Sequence, residues 1–182
     1  MVVDYRKLNK ITILDKSSLP KQEDILQALV RFQWLSTLDT LAGFTQLEVG
    51  LKEREKLAFI THHQLWQFLQ MTFGYRNSPL IFQQVIQNIL APFLWIFTLV
   101  YIDNIVIFSK SFSNHLSHLD QVFKAVAETR IRLTTTKCHF AYQSLLLLGQ
   151  KVLHLELSTH MEKVSEILNL EVPKILTAYK YS

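Results

Sequence analysis

The chain has 182 residues, of which 49% are hydrophobic and 19% are charged, with a formal net charge of +4. This length suits one domain, or one domain with an incomplete neighbour, and the hydrophobic fraction is ample for a core, so disorder is excluded as the main state. The mild positive charge permits a polyanionic partner without requiring one, and the single Cys138 excludes an internal disulfide framework.

The periodicity of the first half of the chain predicts short elements. They are an extended polar segment to about Pro20, a helix from Lys21 to Leu29, strands from Trp34 to Asp39 and from Gln46 to Val49, and a hairpin of Lys56 to Thr61 with Leu65 to Met71. Asp39 then stands at the end of its strand, where a carboxylate can reach solvent or a ligand beyond the sheet.

The second half predicts longer helices. After Pro79, apolar residues at helical spacing predict a strongly amphipathic helix that runs to Pro92. Its polar side is expected to carry Gln83, Gln84, Gln87 and Asn88. A further helix is predicted from about Asn114, its expected N-cap, to Thr129. Strands and helices in this order predict an α/β or α+β fold with helices packed on a sheet.

The longest apolar stretch, Leu90 to Ile102, is too short to span a bilayer and contains Pro92. It therefore indicates a buried core segment, and we expect a soluble protein with no membrane partner. The apolar C-terminal residues from Ile167 onward end without a clear boundary, so we expect a truncated piece of a longer protein.

Two β-prone runs between Leu99 and Phe108 are joined by Asp103-Asn104, which predicts a hairpin with this pair at its turn. An aspartate on a rigid tip is a suitable ligand for Mg²⁺, although Asp-Asn pairs between strands are most often plain turns. Asp39 and Asp103 share a metal site if their strands are neighbours, which periodicity does not decide. His115 and His118 lack the further ligands of a structural zinc site.

Several motifs occur in order along the chain. They are Val3-Asp4-Tyr5-Arg6-Lys7-Leu8-Asn9, Leu38-Asp39-Thr40-Leu41-Ala42-Gly43-Phe44-Thr45-Gln46, Met71-Thr72-Phe73-Gly74-Tyr75-Arg76-Asn77-Ser78-Pro79, Tyr101-Ile102-Asp103-Asn104, Thr136-Lys137-Cys138-His139-Phe140 and Leu147-Leu148-Gly149-Gln150-Lys151-Val152. Together they resemble the reverse transcriptase domain of Ty3/gypsy-type LTR retrotransposons, from Val2 to about Leu170.

The resemblance implies an α+β fold, a reverse transcriptase palm in which an antiparallel sheet packs on helices, with partial fingers and most of the thumb missing. It divides the chain into partial fingers and a connection at residues 1–36, a palm at 37–155 with a fingers insertion around 50–75, and the start of a thumb or connection at 156–182.

The resemblance also implies roles for individual residues. Asp39 and Asp103 would bind metal, Lys137 would donate a proton to the leaving pyrophosphate, and Asn104 stands where the Y-x-D-D signature has its last aspartate. Substrate contacts are expected from Arg6, Phe44, Phe73, Gly74, Tyr101 and Gly149, with Phe44 as a steric gate against ribonucleotides and Gly149 in the primer grip.

The implied activity is RNA-directed DNA polymerisation by two-metal nucleotidyl transfer, with two Mg²⁺ ions or Mn²⁺ in their place, dNTPs, and an RNA or DNA template with primer. The implied location is intracellular, in a cytoplasmic particle or the nucleus, and the oligomeric state stays open. Because Asn104 brings no charge, we expect impaired activity. The alternative is a catalytically inactive, polymerase-like remnant that binds nucleic acid.

Overall fold

The computed structural model describes residues 3–15 and 19–153, and the backbone of residues 156–159. Most of the expected thumb segment, residues 160–182, lies outside the described residues. The helices are α1 (Arg6–Ile11), α2 (Gln22–Leu29), α3 (Ser78–Ile89) and α4 (Phe112–Ala127). The strands are β1 (Trp34–Asp39), β2 (Phe59–Ile60), β3 (Leu65–Trp66), β4 (Thr98–Tyr101), β5 (Asn104–Ser109), β6 (His139–Tyr142), β7 (Ser144–Leu147), β8 (Gln150–Leu153) and β9 (Glu156–Thr159).

The central sheet has four antiparallel strands in the order β4-β5-β1-β6. Strands β1 and β5 pair along their whole length, from Trp34 opposite Ser109 to Asp39 opposite Asn104. Both strands are rich in β-branched and apolar residues, as expected for strands that are covered on two faces. The predicted α+β class is confirmed by this antiparallel sheet and its helices.

The two faces of the sheet bury separate clusters, because successive side chains of a strand point to opposite faces. Ile105 and Ile107 of β5 face helices α3 and α4, while Val106 and Phe108 face helix α2 and the β7–β8 hairpin. The first cluster is built by Leu38, Phe82, Ile86, Leu90, Phe97, Val100, Ile105, Ile107, Leu119, Val122 and Val126. The second is built by Ile25, Leu26, Leu29, Leu35, Leu99, Val106, Phe108, Leu145, Leu147 and Val152.

A third, smaller cluster joins the start of the chain to the segment between β1 and α3. Tyr5, Val49, Leu57 and Met71 are buried together, and the hydroxyl of Tyr5 donates to the carbonyl of Leu57 at 3.0 Å. Burial raises the pKa of Tyr5, so its hydroxyl stays a donor. The fold therefore places these two segments side by side.

The predicted extended start of the chain is wrong over Arg6–Ile11, which forms helix α1. The side chain of Asn9 fixes this helix against the loop at Gly74, since it donates to the carbonyl of Gly74 at 2.7 Å and accepts from the amide of Arg76 at 2.9 Å. These contacts join residues that are far apart in the sequence, so the local periodicity does not indicate them.

The strand predicted from Gln46 to Val49 is also wrong: Gly43–Gln46 is a 3-10 helix, and the rest of the segment forms only an isolated bridge from Glu48 to Gln70. The side chain of Gln46 donates to the carbonyl of Leu41 and accepts from the amide of Arg132, which holds this turn closed. The predicted hairpin is present but shorter, as β2 and β3.

The turn of the β4–β5 hairpin falls one residue earlier than predicted. Tyr101 pairs with Asn104, which leaves Ile102 and Asp103 as the two turn residues. Asn104 also pairs with Asp39 on its other side, so it continues the strand instead of forming the turn. Helix α4 likewise begins earlier than predicted, and its N-cap is Ser111, whose hydroxyl accepts from the amide of Asn114.

The apolar stretch from Leu90 to Ile102 is divided between a 3-10 helix, Ala91–Phe93, and strand β4. Leu90, Leu99 and Val100 are buried, as predicted for a core segment. Within the described part of the chain, none of the helices combines the length and apolar character that crossing a membrane requires.

Candidate active site

Asp39 and Asp103 lie at the same edge of the central sheet. Asp39 ends β1 directly opposite Asn104, so Asp103 is one residue from the register partner of Asp39. The amide of Thr40 donates to the carbonyl of Asp103 at 3.1 Å, and the hydroxyl of Thr40 reaches the same oxygen at 3.2 Å. The strand pairing that the sequence left open therefore brings the two carboxylate-bearing residues together.

Lys137 lies beside Asp39. The short 3-10 helix Thr135–Lys137 docks on the end of β1, because the amide of Thr134 donates to the carbonyl of Asp39 at 2.8 Å. The Nζ of Lys137 is 3.9 Å from Oδ1 of Asp39, and the lysine side chain is 67% exposed against 18% for the aspartate. The lysine is the exposed member of this pair, so its ammonium reaches solvent beside Asp39.

Asn104 interacts directly with Asp103. Its Nδ2 donates to Oδ1 of Asp103 at 3.0 Å, so a neutral amide supports the carboxylate. Gly43 lies on the other side, where an added Cβ would meet the Cβ of Asp103 at 3.7 Å, and its φ of +45° favours glycine. The loop after β1 therefore passes close to Asp103.

The donors at this edge suit magnesium. Carboxylate oxygens are hard ligands, and Mg²⁺ in nucleotide enzymes is held by one or two carboxylates together with substrate phosphates and water. Among the residues described, no three His, Cys, Asp or Glu side chains gather where they could hold an ion. Asp39 and Asp103 are the residues at this edge that could hold Mg²⁺.

Two aromatic rings pack together at the loop that follows β1. Phe44 follows Gly43 in the 3-10 helix and packs partly against the first cluster. Its ring meets the ring of Phe73 edge-on, with centroids 4.8 Å apart, and Phe73 is 57% exposed. Exposed aromatic rings of this kind can stack on bases or sugars.

Gly74 and Tyr101 are held by contacts from other segments. Gly74 has a φ of +85° and its carbonyl accepts from Asn9 at 2.7 Å, so the conformation of this loop requires glycine. The hydroxyl of Tyr101 accepts from Nε2 of Gln22 in helix α2 at 2.9 Å. Tyr101 also directly precedes the turn that carries Asp103.

Arg6 and Gly149 lie in other parts of the structure. The guanidinium of Arg6 pairs with the carboxylate of Asp4 at 2.6 Å, which holds the pKa of Asp4 well below its usual range. Gly149, with a φ of +78°, forms the β7–β8 turn together with Leu148. Within the described ranges, neither residue forms a hydrogen bond or an ion pair with Asp39 or Asp103.

The two histidines of helix α4 belong to a buried polar network. His115 bridges Ser36 at 2.7 Å and Ser109 at 2.8 Å, and Ser109 also bonds to Nδ1 of His118 at 2.7 Å. Burial lowers the pKa of His115 to about 4, and burial also lowers the pKa of His118. The network ties α4 to β1 and β5 toward the end of the strand pair opposite the carboxylate edge, since Ser109 pairs with Trp34 and Asn104 with Asp39.

Gln83 is a contact to the hairpin that the sequence analysis missed. It was predicted on the polar side of α3, yet it is 2% exposed and bonds to the backbone of β4. The signal was present, because Gln83, Ile86 and Leu90 have i, i+3, i+7 spacing and so share one helical face.

The described architecture can be compared with known proteins. The family model for reverse transcriptase (RNA-dependent DNA polymerase) matches residues 1–152. The retrovirus-related Pol polyprotein from transposon 297 of Drosophila melanogaster is 38% identical over 173 residues, which are 95% of this chain and 16% of that protein. The Pol polyprotein from transposon gypsy of the same organism is 32% identical over 95% of this chain and 17% of its own length.

Solved structures agree with this comparison. A foamy viral protease-reverse transcriptase in complex with double-stranded DNA is 26% identical and superposes with a TM-score of 0.86, over 95% of this chain and 30% of that one. The same kind of protein in complex with an RNA/DNA hybrid gives a TM-score of 0.83 over 94% of this chain.

The fold is that of a polymerase palm, an antiparallel sheet packed on helices, as the motifs predicted. The chain belongs to the reverse transcriptase family, and its relatives are Pol polyproteins of gypsy-type retrotransposons. It spans about a sixth of the length of these two Pol polyproteins.

Proposed function

We propose that this chain carries the polymerase site of an RNA-directed DNA polymerase and adds dNTPs to a primer on an RNA or DNA template. The observation that carries the proposal is the adjacency of Asp39 and Asp103 across the β1–β5 pair. Membership in the reverse transcriptase family supports it. The related viral enzymes were solved with duplex DNA and with an RNA/DNA hybrid, so we propose the same duplexes as substrates.

In the proposed mechanism, Asp39 and Asp103 would hold two divalent ions together with the triphosphate. When bound, Mg²⁺, or Mn²⁺ in its place, lowers the pKa of the primer 3′-hydroxyl and offsets charge on the departing pyrophosphate. The primer 3′-hydroxyl would pass its proton to a solvent water, and its oxygen would form a bond to the α-phosphorus while the bond from that phosphorus to the pyrophosphate oxygen breaks. Lys137, 3.9 Å from Asp39, donates its proton to the leaving oxygen.

The remaining site residues bind and orient the substrates. The ring of Phe44 excludes a 2′-hydroxyl from the sugar position, with Phe73 packed against it. Phe73, Gly74 and Tyr101 are proposed to contact template and nucleotide, while Arg6 and Gly149 are proposed contacts to the nucleic acid outside the carboxylate edge. Phosphate contacts to the duplex would be independent of sequence and sensitive to salt.

Asn104 is expected to impair the reaction. An aspartate at this position would add a negative charge at the carboxylate edge, whereas the amide of Asn104 is neutral and is bonded to Asp103. This edge therefore attracts divalent cations less strongly than it would with an aspartate at position 104. We therefore expect slow polymerisation from this chain.

Primer extension on an RNA template with Mg²⁺ or Mn²⁺ tests the proposal. Incorporation should be measurable with Mn²⁺ and should be lost in Asp39→Asn and Asp103→Asn. The matched control is Asp120→Asn, since Asp120 is an exposed carboxylate of α4 paired only with Lys124 among the contacts described. Absence of incorporation by the parent chain, or incorporation that survives Asp103→Asn, contradicts the proposed activity.

A second candidate function is a polymerase-like module that binds nucleic acid without catalysis. The hydrogen bond from Asn104 to Asp103 favours it, because that bond stabilises the carboxylate without metal. This candidate requires salt-dependent affinity for an RNA–DNA hybrid that does not change when Mg²⁺ is replaced by EDTA, measured by fluorescence anisotropy. Affinity that rises with Mg²⁺ favours the polymerase instead.

We also propose the domain division implied by the motifs. Residues 37–155 form the palm, while residues 1–36, with the insertion around 50–75, form partial fingers. The cluster that joins Tyr5 to Val49, Leu57 and Met71 supports pairing of the two fingers segments. Residues 156–182 are proposed to begin the thumb or connection. By family relationship the chain would act inside the cell, in a cytoplasmic particle or the nucleus.

A further inference from the structure

The side chain of Gln83 holds the backbone of the hairpin that carries Asp103. It projects from helix α3, is 2% exposed, and its Nε2 donates to the carbonyl of Val100 at 2.8 Å. Its Oε1 accepts a short hydrogen bond from the amide of Ile102. The two bonds flank Tyr101, so one buried amide fixes the strand at the entrance to the turn.

The backbone at Ile102 needs such support. Its φ is +55°, a left-handed conformation that is a true outlier for a β-branched residue. Such a conformation persists only where the surroundings determine it. Because Asp103 is the next residue, the conformation of Ile102 sets the direction in which the carboxylate leaves the turn.

The position of β4 at the edge of the sheet explains why a side chain, and not a neighbouring strand, bonds to the backbone at Val100 and Ile102. Among the described residues, strand β4 is the outer strand of the central sheet, and its outer side meets only an isolated bridge from Leu94 to Thr98. The backbone groups nearer the turn have no strand partner on that side within the described part. Glutamine is suited to the site because its amide offers both a donor and an acceptor, as Val100 and Ile102 require. Glutamate offers no donor, and methionine has the same length but neither group.

Helix α3 also contacts the loop before it. The hydroxyl of Ser78 donates to the carbonyl of Thr72 at 3.0 Å and is buried, so the start of the helix is fixed to the loop that carries Phe73 and Gly74. Gln83 lies further along the same helix. One rigid element therefore connects the proposed nucleotide loop to the turn of Asp103.

We propose that Gln83 is a positioning residue that sets the geometry of Asp103 for metal binding. This inference rests on the proposed function, since it assigns Asp103 the metal that the polymerase requires. Gln83 touches neither metal nor substrate in this role and acts only through the backbone of Ile102.

The variant Gln83→Met tests the role against Gln87→Met, the same change one turn later on α3. By NMR hydrogen exchange, protection of the Ile102 amide should fall by about tenfold in Gln83→Met, since one hydrogen bond is lost, and should not change in Gln87→Met. Mn²⁺ affinity, measured by water proton relaxation, should fall in parallel. Where incorporation is measurable, kcat should fall in Gln83→Met, while the KM for dNTP should change less.

A rescue variant separates positioning from general damage. Ile102→Gly removes the penalty on the left-handed conformation, so the double variant Gln83→Met/Ile102→Gly should recover part of the Mn²⁺ affinity. Unchanged Ile102 protection or Mn²⁺ affinity in Gln83→Met overturns the inference, as does a double variant with no recovery. If Gln83→Met does not fold, Gln83→Glu, which keeps the acceptor for Ile102 and loses only the donor to Val100, is measured in its place. In that variant Ile102 protection and Mn²⁺ affinity should be kept or lost together, and loss of Mn²⁺ affinity with parental Ile102 protection overturns the inference.

The two proposals fail in different ways. A parent chain that binds Mn²⁺ through Asp103 but extends no primer contradicts the proposed function, while loss of that binding in Gln83→Met still supports the inference. A parent chain that extends primers normally, with Gln83→Met equal to Gln87→Met, contradicts the inference alone.

Discussion

The side-chain amide of Asn104 donates a hydrogen bond to Oδ1 of Asp103, with Nδ2 and Oδ1 3.0 Å apart. This contact gives the carboxylate a neutral partner at the edge where Asp39 also ends its strand. An aspartate in place of Asn104 would instead put two like charges side by side. The identity of residue 104 therefore decides how strongly this edge attracts cations and how stable it is without them.

Asn104→Asp should make folding depend on Mg²⁺. Without metal, we expect a free energy of unfolding about 1 kcal/mol below the parent, because a hydrogen bond is exchanged for repulsion. With saturating Mg²⁺, Tm should rise more than in the parent, since ligand binding to the folded state stabilises it. Thermal unfolding with and without MgCl₂ measures this, with Asn88→Asp on the exposed side of α3 as control. Equal Mg²⁺-dependent shifts in variant and parent would contradict it.

Lys137→Arg should slow incorporation by about a hundredfold, because guanidinium keeps the charge beside Asp39 but does not release a proton. The measurement is the rate of single-turnover incorporation as a function of pH. The part of the pH–rate profile that reports loss of the lysine proton should vanish in the variant. Lys124→Arg is the control, since Lys124 pairs with Asp120 on the outer side of α4. A parental rate for Lys137→Arg would show that Lys137 only balances charge.

Phe44→Ala should admit ribonucleotides. Removing the ring opens space beside Phe73, so the ratio of kcat/KM for a ribonucleotide to that for its deoxynucleotide should rise by about tenfold or more. Phe123→Ala, at a partly exposed position of α4, is the control. An unchanged ratio in a folded Phe44→Ala protein would leave Phe44 with a packing role only.

Stability should fall as the pH falls from about 6.5 to about 4. The pKa of His115 is about 4 in the folded protein against 6.5 for the free side chain, so the unfolded chain binds more protons in this window. The contribution of His115 to the free energy of unfolding is therefore fully present above pH 6.5 and is lost on acidification. At about pH 4 the loss amounts to about 3 kcal/mol. His118, whose pKa is also lowered, acts in the same direction.

His115→Gln is the variant that isolates this effect. It should be less stable at neutral pH, because the bonds to Ser36 and Ser109 are altered, but its stability should depend less on pH. Urea unfolding at several pH values provides the measurement, with the exposed His63→Gln as control. A pH dependence in His115→Gln as steep as in the parent would exclude His115 as its source.

Most regular elements were predictable because their periodicity is strong. Strand β1, the β4–β5 hairpin and helices α2, α3 and α4 all lie within a few residues of their predicted positions. Helix α1 and the 3-10 helix at Gly43 were not predictable, because the side chains of Asn9 and Gln46 form them through contacts distant in sequence. Gln83 was misplaced because a polar residue on an apolar face conflicts with the simplest pattern.

The sequence by itself determined the family, since ordered motifs around Asp39, Gly74 and Asp103 identify it without coordinates. It also determined the missing charge at Asn104. Only the tertiary structure decided that β1 and β5 are neighbours, that the turn consists of Ile102 and Asp103, and that a buried glutamine from α3 supports it. The physical reason is that periodicity reports how each segment is buried, whereas strand pairing and buried hydrogen bonds depend on segments that meet only in the folded chain.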